Sequence, residues 1–211
     1  LMAIFPGSAI PSAADDAYTI DNSLRVNDGD NGILKRTPTV TGDRQEWTLS
    51  AWTKIGIRTG TAQCIFGTDE TGAAGGSGED AITIEWDTTD KLAVTSDTGG
   101  SLSVASTSLY RDPSAWYHIV VACDTTQVTD TNRLKFYVNG TQITDFSTTN
   151  WPAQNLSTAF NYTHAHRVFA GSGDTNKPYD GYLAEFYWID GTQLTPSSFG
   201  ELDSTTNQWI P

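Results

Sequence analysis

The chain has no run of apolar residues that approaches the roughly 20 needed to cross a bilayer, so it offers no candidate for a membrane-spanning helix. Cysteine is scarce as well, because Cys64 and Cys123 are the only two in 211 residues. No Cys and His residues cluster at metal-binding spacing. Both cysteines lie in apolar, strand-like runs, which favours buried free thiols, although spacing alone leaves a single disulfide open.

Basic residues are also few. The sequence has 12 Lys and Arg against 25 Asp and Glu, which gives a formal net charge of −13. Such a chain, without a basic stripe, repels nucleic-acid phosphates and anionic membrane surfaces, so neither is expected as a partner. The acidic residues either keep the protein soluble or, where they share a loop, attract divalent cations such as calcium.

Long helical periodicity is missing, and about a dozen short strand-like segments take its place. The strongest local signals are the dipeptides Asn139-Gly140 and Asp190-Gly191, which are typical of tight hairpin turns. A sheet of so many strands curls or splits into two packed layers. The sequence therefore predicts an all-β fold, a two-sheet antiparallel jelly-roll sandwich.

The domain organisation predicted from the sequence is an irregular N-terminal arm over residues 1–20 and one sandwich over residues 21–211. The arm carries the apolar residues Ile4, Phe5 and Ile10. They fit docking on the domain or on a neighbouring subunit, and simple fraying of a terminus fits equally well.

Four segments, residues 23–34, 47–54, 115–140 and 180–186, resemble successive strands of a laminin-G-like jelly roll. Together they cover about residues 21–195 in the expected order. The resemblance implies the concanavalin A-like lectin and glucanase fold.

A narrower resemblance concerns residues 110–118 and 194–201, which are similar to jelly-roll modules in virion proteins of tailed phages. It implies a fibre, appendage or decoration protein on the virion surface, or otherwise an extracellular one. Other virion proteins would then be partners, and the protein would act as a homo-oligomer.

Residues 85–90 are similar to the Glu-x-Asp-x-x-Glu strand of glycosidases with this fold, in which closely paired carboxylates serve as nucleophile and acid/base. Here Asp90 stands in place of the last Glu. Strand alternation predicts that Glu85 and Asp87 share a solvent-exposed face, and a solvated strand face explains them as well as catalysis does. We therefore expect no enzyme activity.

Acidic loops supply the candidate metal ligands. In related jelly rolls, metal and ligand sites lie on loops at one edge of the sandwich. The matching residues here are Asp69, Glu79 and Asp80 in a glycine-rich loop and Asp174 in a second loop. Convergence of the two loops would suit Ca²⁺, the expected cofactor, whereas a flexible, solvated acidic loop is the alternative.

Loop aromatic and polar residues supply the candidate sugar contacts, because sugars stack on exposed rings and hydrogen-bond to amide and carboxylate groups. The candidates are Trp151, Tyr162, Asp174, Asn176 and Tyr179. Packing between subunits is the alternative for these rings. The strand tryptophans are predicted to lie in the core: Trp47, Trp86, Trp116 and Trp188.

Three histidines complete the candidates. His164 and His166 alternate onto one strand face, where a metal-binding pair and a solvent-facing neutral pair both fit. His118 belongs to the strand signature of the fold. No Ser-His-Asp triad is indicated, because no nucleophile lies on a strained turn.

Taken together, these patterns favour a non-enzymatic virion surface protein whose lectin-like domain binds cell-surface glycans. Weak single sites would gain avidity from multiple copies. Two alternatives stay open, a purely structural decoration module without a sugar site and a glucanase-type hydrolase.

Overall fold

The structure is a computed structural model that describes residues 18–56, 60–69, 81–96 and 102–211. Most of the predicted arm, residues 1–17, lies outside the described residues. In chain order the strands are β1 (Leu24–Val26), β2 (Leu34–Arg36), β3 (Glu46–Ile55), β4 (Gln63–Thr68), β5 (Ile82–Trp86), β6 (Leu92–Ser96), β7 (Ser103–Ser106), β8 (Tyr117–Asp124), β9 (Leu134–Val138), β10 (Thr141–Gln142), β11 (Phe146–Asn150), β12 (His166–Val168), β13 (Gly181–Asp190), β14 (Glu201–Leu202) and β15 (Trp209–Ile210). Three one-turn 3₁₀ helices are η1 (Asp28–Asp30), η2 (Asp130–Asn132) and η3 (Pro196–Ser198).

Two large antiparallel sheets carry the fold. The six-stranded sheet has the order β1-β13-β3-β8-β9-β10, and the seven-stranded sheet has the order β11-β7-β6-β5-β4-β12-β2. A small hairpin, β14–β15, forms a separate pair. Both sheets contain neighbours that are distant in sequence, such as β13-β3 and β4-β12, as in a jelly roll, so the predicted all-β sandwich is confirmed.

Strand β3 shows why these residues form this sandwich. Trp47, Leu49 and Ala51 are completely buried in the core between the sheets. Because side chains alternate along a strand, Ser50 and Trp52 point to the outer face of the six-stranded sheet. Each fully buried large apolar side chain contributes about 2 kcal/mol to the free energy of unfolding.

The predicted core tryptophans are confirmed with one exception. Trp47 and Trp86 are fully buried, and Trp188 packs against the same cluster. Trp116 is only half-buried and lies outside that cluster, with its ring 6.2 Å from the ring of Tyr182. Trp116 directly precedes β8 and is two residues from the outward-facing His118, so strand alternation directs it to the outer face.

The Asn139-Gly140 turn is confirmed. Both residues have positive φ, 48° and 76°, as the tight turn between β9 and β10 requires. A Cβ at Gly140 would lie 2.2 Å from Cε3 of Trp209, so glycine is also needed for the close approach of β15. The Asp190-Gly191 prediction is wrong, because β13 ends there and the chain continues into η3 without a hairpin.

One irregularity interrupts β13. Ala184 pairs with Trp52 and Tyr187 pairs with Ser50, so two residues of β13, Glu185 and Phe186, oppose the single residue between these partners on β3. Glu185 adopts a φ of 47°, which is unusual for a residue with a side chain. Within the bulge Phe186 packs on the core, and after it Tyr187 lies on the outer face.

Both cysteines are buried and free, as predicted. Among the described residues, no helix has the length and apolar character needed to cross a membrane.

Candidate functional site

A cleft of about 420 Å³ lies on the outer face of the six-stranded sheet, and we call it the outer-face cleft. Strands β3, β8 and β13 supply its floor, while the chain before β1 and the segment after η3 supply its walls. Its lining residues are Tyr18, Ser50, Trp52, His118, Glu185, Tyr187, Ser198, Phe199 and Pro211.

His118 holds the floor of the cleft in place. Its side chain is only 1% exposed, and burial lowers its pKa to about 4, so the imidazole is neutral at physiological pH. The indole N–H of Trp209 donates to its Nδ1 at 2.9 Å, which leaves the proton on Nε2 to donate to Ser50 Oγ at 2.9 Å. The imidazole also stacks on Trp52 and Trp209, with ring centroids 5.0 and 5.8 Å away. These contacts fix the tautomer and the orientation of the imidazole in the floor.

Among the described residues that line the cleft, Glu185 is the one with a charged side chain. Tyr18 donates its hydroxyl to Oε1 at 2.8 Å, and Tyr187 donates to Oε2. The hydrogen bond to Glu185 is the main reason why the pKa of Tyr187 is raised to about 12, and it raises the pKa of Tyr18 as well. Both tyrosines therefore stay protonated and hold the carboxylate between them.

Aromatic surface remains open to solvent around this carboxylate. Tyr18 is 56% exposed and Tyr187 is 43% exposed. The ring of Phe199 stacks on that of Tyr187, with centroids 6.0 Å apart. The cleft thus combines exposed ring faces with hydroxyl and carboxylate oxygens, a combination suited to a polyhydroxylated ligand.

Sequence reasoning missed this cleft. Glu185 and Tyr187 lie within the closing strand that supported the fold prediction, and nothing in the local pattern marks the bulge that positions them. Phe199 directly follows η3, and the sequence does not indicate which sheet face this segment covers.

The structure brings together two of the predicted metal ligands, Asp69 and Asp174. Both contact the buried guanidinium of Arg167, at 2.5 and 2.6 Å, and Asp174 also accepts from Lys35 at 2.8 Å. Burial raises the pKa of Asp69, but the bonds from Arg167 and Gly173 outweigh it and hold this pKa below its ordinary value. Lys35 and Arg167 lower the pKa of Asp174.

The other predicted metal ligands, Glu79 and Asp80, lie outside the described residues. Within the described ranges, no three His, Cys, Asp or Glu side chains are grouped so that they could hold a metal ion. Arg167 already supplies positive charge to Asp69 and Asp174, so Ca²⁺ would have to compete with it. Calcium binding stays a prediction.

The predicted sugar contacts do not form one site. Trp151 follows β11 at one edge of the seven-stranded sheet and packs edge-on against Phe146 at 4.9 Å. Asp174 and Asn176 follow β12, and four strands lie between β11 and β12. Tyr162 is half-buried, with the guanidinium of Arg44 4.5 Å from its ring centroid.

For Tyr179 the prediction of an exposed sugar-stacking ring is wrong. Its side chain is 1% exposed, and its ring packs against Phe169 with centroids 5.1 Å apart. The ring belongs to the core cluster, so it offers no face to a ligand.

For Glu85 the predicted solvent exposure is also wrong. Its side chain is buried, with 4% of the residue exposed, and it accepts hydrogen bonds from Lys177 Nζ and Thr83 Oγ1, each at 2.7 Å. The loop that carries Lys177 also covers this part of the sheet, since Gly171 lies close to Thr83. Asp87 accepts bonds from the backbone amides of its own turn.

The predicted solvent-facing histidine pair is wrong for His166, which is buried. Its Nε2 accepts a hydrogen bond from the backbone N–H of Asn161 at 3.0 Å, and Nδ1 lies 3.0 Å from the carbonyl oxygen of His164. Burial lowers the pKa of His166, so it is a neutral structural residue.

A second concavity, of about 380 Å³, lies between β2 and the end of β13. Its walls include the exposed side chains of Leu34 and Val40, and Trp188 and Asn161 lie deeper. Its polar groups bond to one another, since Asn161 accepts from Trp188 Nε1 at 2.7 Å and donates to Asp190 Oδ1 at 2.9 Å. The outer-face cleft, with exposed rings beside a carboxylate, is the better candidate for ligand binding.

Comparison with solved structures supports the architecture. The CBM40 domain of Ruminococcus gnavus IT-sialidase aligns with a TM-score of 0.50 and 9% identity, over 78% of this chain and 95% of that domain. The same domain bound to alpha2,3 sialyllactose aligns with a TM-score of 0.50 and 8% identity, over 85% of this chain and 96% of that domain. The K499G mutant of NanB sialidase from Streptococcus pneumoniae aligns with a TM-score of 0.52 and 14% identity, over 90% of this chain and 28% of that sialidase chain.

These identities are low, so the likeness concerns the fold alone. The chain spans only 22% to 28% of the length of the full sialidase chains it matches. A search of curated protein sequences found no match.

The model of the concanavalin A-like lectin/glucanases superfamily named Laminin_G_3 matches residues 27–198, most of the chain. The protein therefore belongs to this laminin-G-like family of the concanavalin A-like lectin/glucanase superfamily.

Proposed function

We propose that the protein is a carbohydrate-binding domain that holds a glycan in the outer-face cleft. The observation that carries the proposal is the set of rings around the carboxylate of Glu185, namely the exposed rings of Tyr18 and Tyr187 and the half-buried ring of Phe199. Ring faces stack on the apolar face of a sugar, while the carboxylate and the hydroxyls bond to the sugar hydroxyls.

The fold supports this proposal at a general level. A carbohydrate-binding domain of similar fold and nearly the same extent has been solved with alpha2,3 sialyllactose bound. At 8% identity that ligand cannot be assigned to this chain, so the proposal rests on the side chains of the cleft.

We also propose that the domain is non-catalytic. Glu85, the carboxylate that matches the glycosidase strand, is buried and ion-paired with Lys177 at 2.7 Å. Asp87 is engaged by the amides of its own turn. A paired nucleophile and acid/base would need two carboxylates that are open to the same sugar bond.

The biological setting that we propose is the surface of a virion, where several copies would give avidity to weak single sites. This part of the proposal rests on the resemblance of residues 110–118 and 194–201 to jelly-roll modules of tailed phages. Detection of the protein in purified particles by mass spectrometry would support it, and its absence from them would remove this part of the proposal.

A glycan array tests the binding proposal. We expect the wild-type protein to bind a subset of glycans, and we expect Tyr187→Ala to lose at least about tenfold in affinity for them, because an exposed stacking ring is removed. The control is Tyr162→Ala, which truncates a half-buried loop tyrosine and should bind like the wild type.

The array is run with and without a calcium chelator. We expect no effect of chelation, because the outer-face cleft belongs to the six-stranded sheet whereas Asp69 and Asp174 flank β4 and β12 of the other sheet. Binding that Tyr162→Ala removes and Tyr187→Ala leaves intact would contradict the assignment of the site. A silent array would contradict glycan binding altogether.

A further inference from the structure

We propose that the outer-face cleft prefers sugars that carry a protonated amine over their neutral and acidic counterparts. This inference rests on the proposed function and adds the charge class of the ligand.

The lining of the cleft is the first argument. It joins four aromatic residues, Tyr18, Trp52, Tyr187 and Phe199, with the side-chain carboxylate of Glu185. Among the described residues, no Lys or Arg lines it. Aromatic faces carry negative partial charge and attract ammonium groups, so rings and carboxylate act in the same direction.

The carboxylate of Glu185 has capacity for a further donor. A carboxylate offers about four lone-pair positions, and the hydroxyls of Tyr18 and Tyr187 occupy one on each oxygen. An ammonium group of the ligand can donate to the positions that remain. Such a charge-assisted bond is about twice as strong as a bond between neutral groups.

The backbone of β13 is the second argument. Without the extra residue in the bulge, the side chains would alternate from Ala184 through Phe186 to Tyr187, and no carboxylate would lie at this point of the outer face. Glu185 is held at a φ of 47°, a left-handed conformation that is strained for a residue other than glycine. Bulges of this kind redirect a side chain and are frequent beside binding sites.

Cations of the same sheet face lie beyond the cleft. The Arg25 guanidinium and the Lys54 ammonium are 5.7 and 5.9 Å from the ring centroid of Tyr182, which pairs with Lys54 in the sheet. They mark the end of the outer face at which an acidic group would be favoured. The amine and the acidic group would therefore go to different places, which makes the preference measurable.

The test is a titration followed by calorimetry, at a pH below the pKa of the sugar amine. The probes are a β1,4-linked glucosamine tetramer, its fully N-acetylated counterpart and alpha2,3 sialyllactose. We expect the wild-type protein to bind the amine tetramer about tenfold more tightly than the acetylated one, and sialyllactose more weakly than either, with the amine preference shrinking as salt is added.

Variants locate the preference. Glu185→Gln should bind both tetramers with similar affinity, because it removes the charge and leaves the rings. Asp145→Asn, which removes an exposed carboxylate at the start of β11, is the matched control for net charge and should keep the preference.

The outcomes separate the two proposals. The acetylated tetramer or sialyllactose could bind as tightly as the amine tetramer, or more tightly, with Tyr187→Ala abolishing that binding. This result would overturn the amine preference and leave glycan binding intact. A preference that Glu185→Gln retains, or that Asp145→Asn also loses, would assign it to overall charge and overturn the inference. If no probe binds and the glycan array is silent as well, the proposed function itself fails.

Discussion

At the scale of single residues, His118 links the stability of the fold to the floor of the cleft. The folded protein keeps this imidazole neutral down to about pH 4, whereas the unfolded chain takes up a proton near the ordinary pKa of 6.5. Because folding lowers this pKa, the unfolded state binds more protons than the folded state does as the pH falls. Stability is therefore lost on acidification between these two values.

We expect the free energy of unfolding to fall by up to about 3 kcal/mol as the pH is lowered from 6.5 to 4, with His118 as the main contributor. His166, whose pKa is also lowered, adds in the same direction. Denaturant unfolding of the wild-type protein and His118→Gln across this range checks the prediction.

The variant should show a flatter pH dependence, because glutamine does not titrate. Carboxylates with lowered pKa values, such as Asp174, lose their contribution mainly below this range and affect both proteins equally. Parallel curves for the two proteins would contradict the role of His118.

Residue environments were only partly predictable from the sequence. The strand position of Trp47 correctly assigned it to the core, because period-2 patterning decides which side of a sheet a residue faces. The same rule put Glu85 on an outer face but could not indicate that the loop carrying Lys177 covers it. Tyr179 was misjudged for the same reason, since a loop position does not reveal what packs on it.

At the scale of elements, the bulge in β13 connects the fold with the proposed binding preference. The Asn139-Gly140 turn was predictable, because its φ angles demand these residue types. The bulge was not, because residues 181–190 read as an ordinary strand and the extra residue becomes visible only in the register with β3.

Deletion of Glu185 is expected to preserve the fold. It would restore the alternation of Ala184, Phe186 and Tyr187 and remove a residue with strained φ, so the midpoint of thermal unfolding should stay level or rise. The deletion should also abolish the preference for the amine tetramer. Circular dichroism and calorimetry measure the two effects.

A large loss of stability in the deletion variant would contradict this interpretation of the bulge. It would mean that Glu185 with its tyrosine partners is needed for the fold and not only for the cleft.

At the scale of the whole molecule, the sandwich was predictable and the location of the candidate site was not. Strand periodicity and turn signals indicated two antiparallel layers, and the family match agrees. The sequence pointed to loops at the rim, through Trp151, Tyr162 and Asp174. The structure instead offers a cleft on a broad sheet face, because β15 and the segment after η3 fold back over the six-stranded sheet.

The most direct test of the account is a chemical-shift titration of the ¹⁵N-labelled protein with the glucosamine tetramer. The account predicts that the largest backbone and indole shifts fall on Ser50, Trp52 and Tyr187, around the outer-face cleft. Shifts centred on Tyr162 and Asp174 at the rim would contradict it.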